Sequence, residues 1–147
     1  MSESKSALAG TIPGEHIHIS VDDCTAPFWE AAKQRRLSAL RCGDCGRFRM
    51  PPTPFCPQCQ SRAMDWVDLT GEATVYSYAV VRGLPQFPDL VLVAAVLDLP
   101  DAPGARIVFN VIDVAPEQVF IGMRVEVDFL PIADGWLVPV FRPAAST

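Results

Sequence analysis

Histidine is scarce in this chain of 147 residues: there are two, His16 and His18, and none beyond them. The last of its five cysteines is Cys59. The C-terminal half therefore lacks the imidazole and thiol from which Ser–His–Asp and Cys–His constellations are built. No glycine-rich phosphate loop is present. The longest uninterrupted apolar run, Leu90 to Leu97, is far too short for a helix to span a bilayer. Met1 to Gly10 has no basic stretch leading into an apolar one, so no signal peptide is expected, and the expected setting is cytoplasmic with no membrane contact.

A broad positive surface is also missing. The net charge is −5, and seven basic residues against one acid give the segment 33–62 a local +6, so the remainder carries −11. Phosphate neutralisation along a nucleic acid needs a wide cationic face. The later strands offer Tyr76, Tyr78 and Phe109 for stacking but only Arg82, Arg106, Arg124 and Arg142 as cations. No nucleic-acid partner is expected, although a basic lobe can hold a small phosphate-bearing ligand or an acidic protein. Asp98, Asp101 and Asp113 fall near strand ends and read as turn or surface residues.

What is present begins with two C-x-x-C pairs, Cys42/Cys45 and Cys56/Cys59, with ten residues between them. In a chain expected to be cytoplasmic, such pairs are metal ligands rather than disulfides. Four thiolates close the coordination shell, which predicts a structural Zn2+ and not a catalytic one with an open position. The metal with its thiolates brings about −2 to the basic lobe. Cys24 is left as a free thiol.

Half of the residues are hydrophobic, enough for one domain or two small ones. Residues 1–24, rich in small residues and without helical periodicity, read as a flexible arm in which His16 and His18 alternate with isoleucines as a short extended piece. Thr25 and Pro27 suit a helix start, and Phe28, Trp29, Ala32 and Arg36 follow at helical spacing. Residues 25–67 make this helix and a ribbon, with strands at Leu37–Arg41 and Phe48–Met50. Residues 68–143 hold five strands: Thr74–Arg82, Leu90–Leu99 (an apolar run suited to burial on both faces), Arg106–Ile112, a segment alternating through Val125, Val127 and Phe129, and Trp136–Phe141. Gly83–Asp89 reads as an irregular apolar loop, Pro116–Gly122 as a short helix or turn, Asp134–Gly135 as a hairpin turn, and 144–147 as a tail. The predicted fold is mainly β: an N-terminal helix, a rubredoxin-like zinc ribbon and a five-stranded OB-fold barrel.

The blocks APFWEAAKQRRLSALRC, CGDCGRFRMPPTPFCPQC, WVDLTGEATVYSYAVV, IGMRVEVDFLP and LVPVFRP, in this order over roughly residues 25–143, resemble the acyl-CoA-associated zinc-ribbon/OB-fold family catalogued as domain of unknown function thirty-five. The resemblance implies a non-catalytic accessory subunit. Its partner would be a thiolase-superfamily enzyme acting on CoA thioesters (a thiolase, a lipid-transfer-type thiolase or a retro-aldolase), in some cases joined by a hotdog-fold enoyl-CoA hydratase. It also implies zinc at Cys42, Cys45, Cys56 and Cys59, and a partner contact at Phe28 and Trp29. Two departures stand out: Gly71–Glu72–Ala73 replaces a Gly-x-Gly, and Ile112–Asp113 replaces a glycine-containing turn. Leu84, Pro85, Phe87 and Pro88 are expected to meet acyl-CoA or the partner, because an exposed apolar loop favours a bound surface. Arg47, Arg49 and Arg82 are expected at CoA phosphates or acidic partner groups. The alternative is a stand-alone OB-fold module binding acyl-CoA or single-stranded nucleic acid.

Overall fold

A computed structural model describes residues 8–145. One helix, α1 (Ala26–Lys33), precedes eight strands: β1 (Ser38–Cys42), β2 (Phe48–Arg49), β3 (Met64–Asp68), β4 (Glu72–Leu84), β5 (Phe87–Asp98), β6 (Arg106–Asn110), β7 (Arg124–Pro131) and β8 (Leu137–Pro143). The ribbon is a three-stranded sheet in the order β2-β1-β3, and the second unit is a five-stranded sheet in the order β6-β5-β4-β7-β8. The latter is the strand order of an OB-fold.

The five strands curl without closing. β6 and β8 meet only at a parallel bridge between Val111 and Phe141, beside an Ile112 N–H to Phe141 O bond of 2.8 Å. The expected barrel is therefore OB-like and partly open. Inward side chains of every strand fill it: Val75, Val93, Leu97, Ile107, Val125 and Phe141 are all buried. Each such burial contributes about 1.5–3 kcal/mol. Along β5, burial alternates between full and partial, so the apolar run expected to be covered on both faces is fully covered on one.

The helix is started and stopped by its flanks. Thr25 does not cap through its hydroxyl as expected. Instead the Asp22 carboxylate accepts the Thr25 N–H at 2.8 Å while the Thr25 hydroxyl accepts the Asp22 N–H at 3.1 Å. The Thr25 N–H, then its hydroxyl, hold the Asp22 carboxyl below its ordinary range. At the far end, Arg35 N–H bonds Ala32 O and Arg36 N–H bonds Ala31 O, both at 2.9 Å, which is a Schellman stop. Arg35 takes the left-handed conformation, φ 61°, where glycine is usual; its guanidinium reaches Phe129 O at 3.5 Å and Asp128 at 3.8 Å.

Three expectations are corrected here. The stretch read as an irregular loop at Gly83–Asp89 is the tip of a continuous β4–β5 hairpin, with Leu84 opposite Phe87. Gly83, at φ +81°, absorbs a register shift between Arg82 and Leu84, and that bulge lets the strands run on. The arm, from residue 8 onward, lies against the OB-like sheet. Ala9 N–H bonds Val114 O, Asp113 N–H bonds Ala9 O, and Gly10 N–H bonds Val91 O, each at 2.9 Å. Gly14 packs so closely on Pro131 that a Cβ there would land on the Pro131 carbonyl oxygen. His16 belongs to a single 3-10 turn, Gly14–His16, rather than to an extended strand, and its ring meets Phe87 with centroids 5.3 Å apart. His18 lies 3.8 Å from the Asp134 carboxylate, with both side chains exposed. Residues 1–7 of the arm and 146–147 of the tail lie outside the described residues.

Candidate metal centre and interaction surfaces

Each C-x-x-C sits in a turn that folds main-chain amides back toward sulfur. Asp44 and Cys45 N–H both point at Cys42 Sγ (3.4 Å), and Gln58 N–H points at Cys56 Sγ (3.4 Å). The two turns repeat one design: Gly46 N–H bonds Cys42 O at 3.0 Å, and Gln60 N–H bonds Cys56 O at 2.8 Å. Gly46 and Gln60 both have positive φ, 79° and 69°.

The four sulfurs lie within 4.8 Å of one another, Cys42–Cys59 at 3.6 Å and Cys45–Cys56 at 3.7 Å. A tetrahedron with Zn–S bonds of about 2.3 Å has edges near 3.8 Å, so the donor set fits zinc. Cys42 and Cys56 are buried, while Cys45 and Cys59 are exposed. The electrostatics agree. The amides of Cys45 and Asp44 bring the Cys42 thiol down to about 6, and the Cys59 amide lowers that of Cys56. The Ser61 amide acts on Cys59 in the same direction, but burial and the three neighbouring thiols outweigh it and push Cys59 up to about 12. Four thiolates so close need a cation between them. When bound, the metal supplies folding free energy to a lobe with little apolar core of its own.

The remaining expected site residues scatter. Phe28 is buried, its ring stacked on Phe109 at 6.1 Å and edge-on to Trp29 at 5.1 Å. It belongs to this chain's own core and also lines the cleft beside Trp29. Trp29 is half-buried and lines a cleft of about 290 Å³ between α1, the Met50–Pro52 segment and β6. Arg49 is also corrected. Opposite Leu40 across the ribbon sheet, it is 8% exposed and donates through Nε and Nη2 to Thr53 O (3.1 and 2.9 Å), away from any surface ligand. Arg47 is exposed and within 3.4 Å of Gln58 Oε1; Arg82 is exposed and paired with Glu117 at 3.2 Å. Leu84 and Phe87 are half-buried and Pro85 and Pro88 exposed at the β4–β5 tip. There Leu84, Pro85 and Phe87 line a hollow of about 310 Å³ with Ile12 and His16.

The basic lobe is far less basic in space than in sequence. Arg36 pairs with Asp68 at 2.6 Å, Arg41 with Asp65 and Arg35 with Asp128, while Lys33 sits 4.4 Å over the Trp136 ring. Those acids all come from outside residues 33–62, so counting charge along the segment could not find them. The cleft was missed as well, because its walls (Trp29, Pro51 and Val108) are far apart in sequence and share no motif.

The comparisons agree with this geometry. Residues 29–65 match the family described as "ChsH2, rubredoxin-like zinc ribbon domain", and residues 66–130 match "ChsH2, C-terminal OB-fold domain". A "DUF35 domain-containing scaffold protein" of Methanocaldococcus jannaschii is 35% identical over 72% of this chain and 77% of its own length. The chain belongs to the DUF35 family.

Other members differ in what surrounds the shared part. A "probable enoyl-CoA hydratase alpha subunit" of Thermomonospora curvata is 43% identical over 80% of this chain, yet the match spans 37% of that protein. A "3-oxo-4,17-pregnadiene-20-carboxyl-CoA hydratase alpha subunit" of Mycobacterium tuberculosis is 31% identical over 81% of this chain and again 37% of its own length. This DUF35 chain thus spans little more than a third of the two hydratase subunits. Among solved structures, a chain of an "Ltp2-ChsH2(DUF35) aldolase" superposes with a TM-score of 0.78 at 38% identity, over 87% of this chain and all of that one. A DUF35 protein of unknown function from Sulfolobus solfataricus, at 18% identity and TM-score 0.60, shares the fold. The zinc ribbon, the OB-fold and the four-cysteine metal site of this family are all present here. No helix among the described residues is long and apolar enough to cross a membrane.

Proposed function

We propose that this chain is a non-catalytic accessory subunit of a thiolase-superfamily enzyme that makes or breaks a carbon–carbon bond in a CoA thioester in the cytoplasm. The observation that carries this reading is the likeness, at 38% identity over the whole length of the other chain, to a component of an aldolase assembly. The names of the hydratase relatives support a hotdog-fold enoyl-CoA hydratase as a further partner. Consistent with a borrowed active site, the sequence has no histidine after His18 and no cysteine after Cys59. The partner then supplies the nucleophile or the acid–base pair.

On this reading the zinc ribbon, with its helix (25–67), and the OB-fold (68–143) form a rigid piece that stabilises the enzyme and walls part of its acyl-CoA channel. The β4–β5 tip, with Leu84, Pro85, Phe87 and Pro88, supplies apolar contact. Arg47 and Arg82 supply charge toward phosphates or acidic partner groups. Co-expression with the neighbouring reading frames, followed by affinity capture of this chain, is expected to recover a thiolase-like subunit in fixed ratio. The recovered complex, and neither chain alone, is expected to turn over an acyl-CoA. Turnover by this chain alone, or a chain that stays monomeric and captures nothing, would count against the proposal. Tight single-stranded DNA binding with a steep salt dependence would favour a stand-alone module instead.

A further inference from the structure

Strand β6 pairs with β5 on one side, and among the described residues no strand is hydrogen-bonded along its other side before the Val111–Phe141 bridge. The Val111 N–H to Val93 O bond of 3.0 Å fixes the alternation. Ile107, Phe109 and Val111 turn their main-chain groups toward β5, while Arg106, Val108, Asn110 and Ile112 turn theirs away. Phe141 O takes the Ile112 N–H at the bridge to β8. The outward groups of Arg106, Val108 and Asn110 have no strand to receive them.

Natural sheet edges are usually blunted by a charge, a proline or a bulge. This one is not. Arg106, the charge on the strand, is drawn back onto Asp98 at 2.7 Å and over the Tyr76 ring at 3.8 Å. Val108, in the middle of the edge, is 62% exposed. Beside it opens the cleft of about 290 Å³, walled by Phe28, Trp29, Met50, Pro51 and Pro52 and lined almost wholly by apolar surface.

These two features together select the occupant. Unpaired main-chain donors and acceptors are satisfied by another main chain, whereas a hydrocarbon tail would leave them unmet. The lining offers no free charge for a phosphate or carboxylate, so the side chains that enter are apolar. We infer that β6 and the adjoining cleft form a docking site for an extended apolar segment of the partner subunit, which adds a strand at Val108 by β-augmentation. β6 is five residues long, so the added strand is short. The inference rests on the accessory-subunit reading and names the surface through which it works.

The test is Val108→Pro in the full chain, co-expressed with the thiolase-like subunit that the wild type captures. Proline removes the outward N–H and leaves the bonds to β5 in place. The variant is expected to keep its zinc and its melting temperature but to lose partner affinity by at least about tenfold. Val108→Thr, which keeps the N–H and the branched side chain, is expected to bind like the wild type. Hydrogen exchange on the wild-type complex supplies a readout that does not depend on a variant folding. The Val108 and Asn110 amides should become protected on assembly, while Phe109 and Val111 stay unchanged. Capture by Val108→Pro equal to wild type overturns the inference alone. So do unprotected Val108 and Asn110 amides in the complex, or amides already protected in the isolated chain by self-association. If the wild type captures no thiolase-like subunit, the accessory-subunit reading fails and takes this inference with it.

Discussion

The Phe28 and Phe109 rings stack 6.1 Å apart and within 6° of parallel, one on α1 and the other on β6. The pair ties the helix to β6 through the inward face of the sheet. Phe109 continues the row to Phe141, 6.4 Å away. Truncation at Phe28, 5% exposed, removes one member of that row. Phe28→Ala is expected to lower stability by about 3–5 kcal/mol with zinc retained, as read by chemical denaturation and metal analysis. A loss under about 1 kcal/mol would mean that the helix is not part of the core.

The metal centre gives the second prediction. The wild type is expected to bind one zinc per chain, and Cys56→Ser, at a buried ligand, to lose it together with protection of the β1–β3 amides. Because the ligands bind as thiolates, protons compete with the metal, so zinc is held at neutral pH and released as the pH falls. A Cys56→Ser variant with full zinc and unchanged exchange would remove the scaffold role from the cluster.

Gly14 tests the docking of the N-terminal segment. Gly14→Ala puts a methyl group onto the Pro131 carbonyl, a main-chain atom that cannot step aside cheaply. The expected cost is about 1–3 kcal/mol, localised as faster exchange at the Ala9, Gly10 and Asp113 amides. Unchanged exchange at all three would show that the segment is held independently of this contact.

Arg49 separates a structural role from a surface one. Its Nη1 is buried with no partner among the described residues, and its Nε and Nη2 share one carbonyl. Removing a poorly matched buried cation is inexpensive, so Arg49→Met is expected to change stability by no more than about 1 kcal/mol and to leave zinc content and partner capture intact. Loss of capture at unchanged stability would return Arg49 to the interface.

Gly83 sets the β4–β5 tip. At φ +81°, and with a built Cβ 3.0 Å from Pro88 O, any side chain there is strained. Gly83→Ala is expected to cost about 1–2 kcal/mol and to shift the amide signals of Leu84–Phe87 in an NMR spectrum. Unperturbed tip signals would place the register elsewhere.

What the sequence determined by itself is local. Two C-x-x-C turns carry their own geometry, because the first sulfur of each pair is aimed by amides two or three residues away, and so the zinc ligands were legible without a fold. Alternation in β7 and the composition of β4 and β5 marked strands for the same reason. The OB order of those strands was reached through their number and through resemblance. The tertiary structure decided whatever depends on which distant residues meet. Three of the seven cations near the ribbon, Arg35, Arg36 and Arg41, are paired with Asp128, Asp68 and Asp65. Phe28 joined the core because Phe109 lay opposite. The arm came to rest on Val91 and Val114, and an apparent loop became a hairpin once Gly83 allowed a bulge. Charge pairing, ring stacking and edge exposure act through space between residues tens of positions apart, and no pattern along the chain records them.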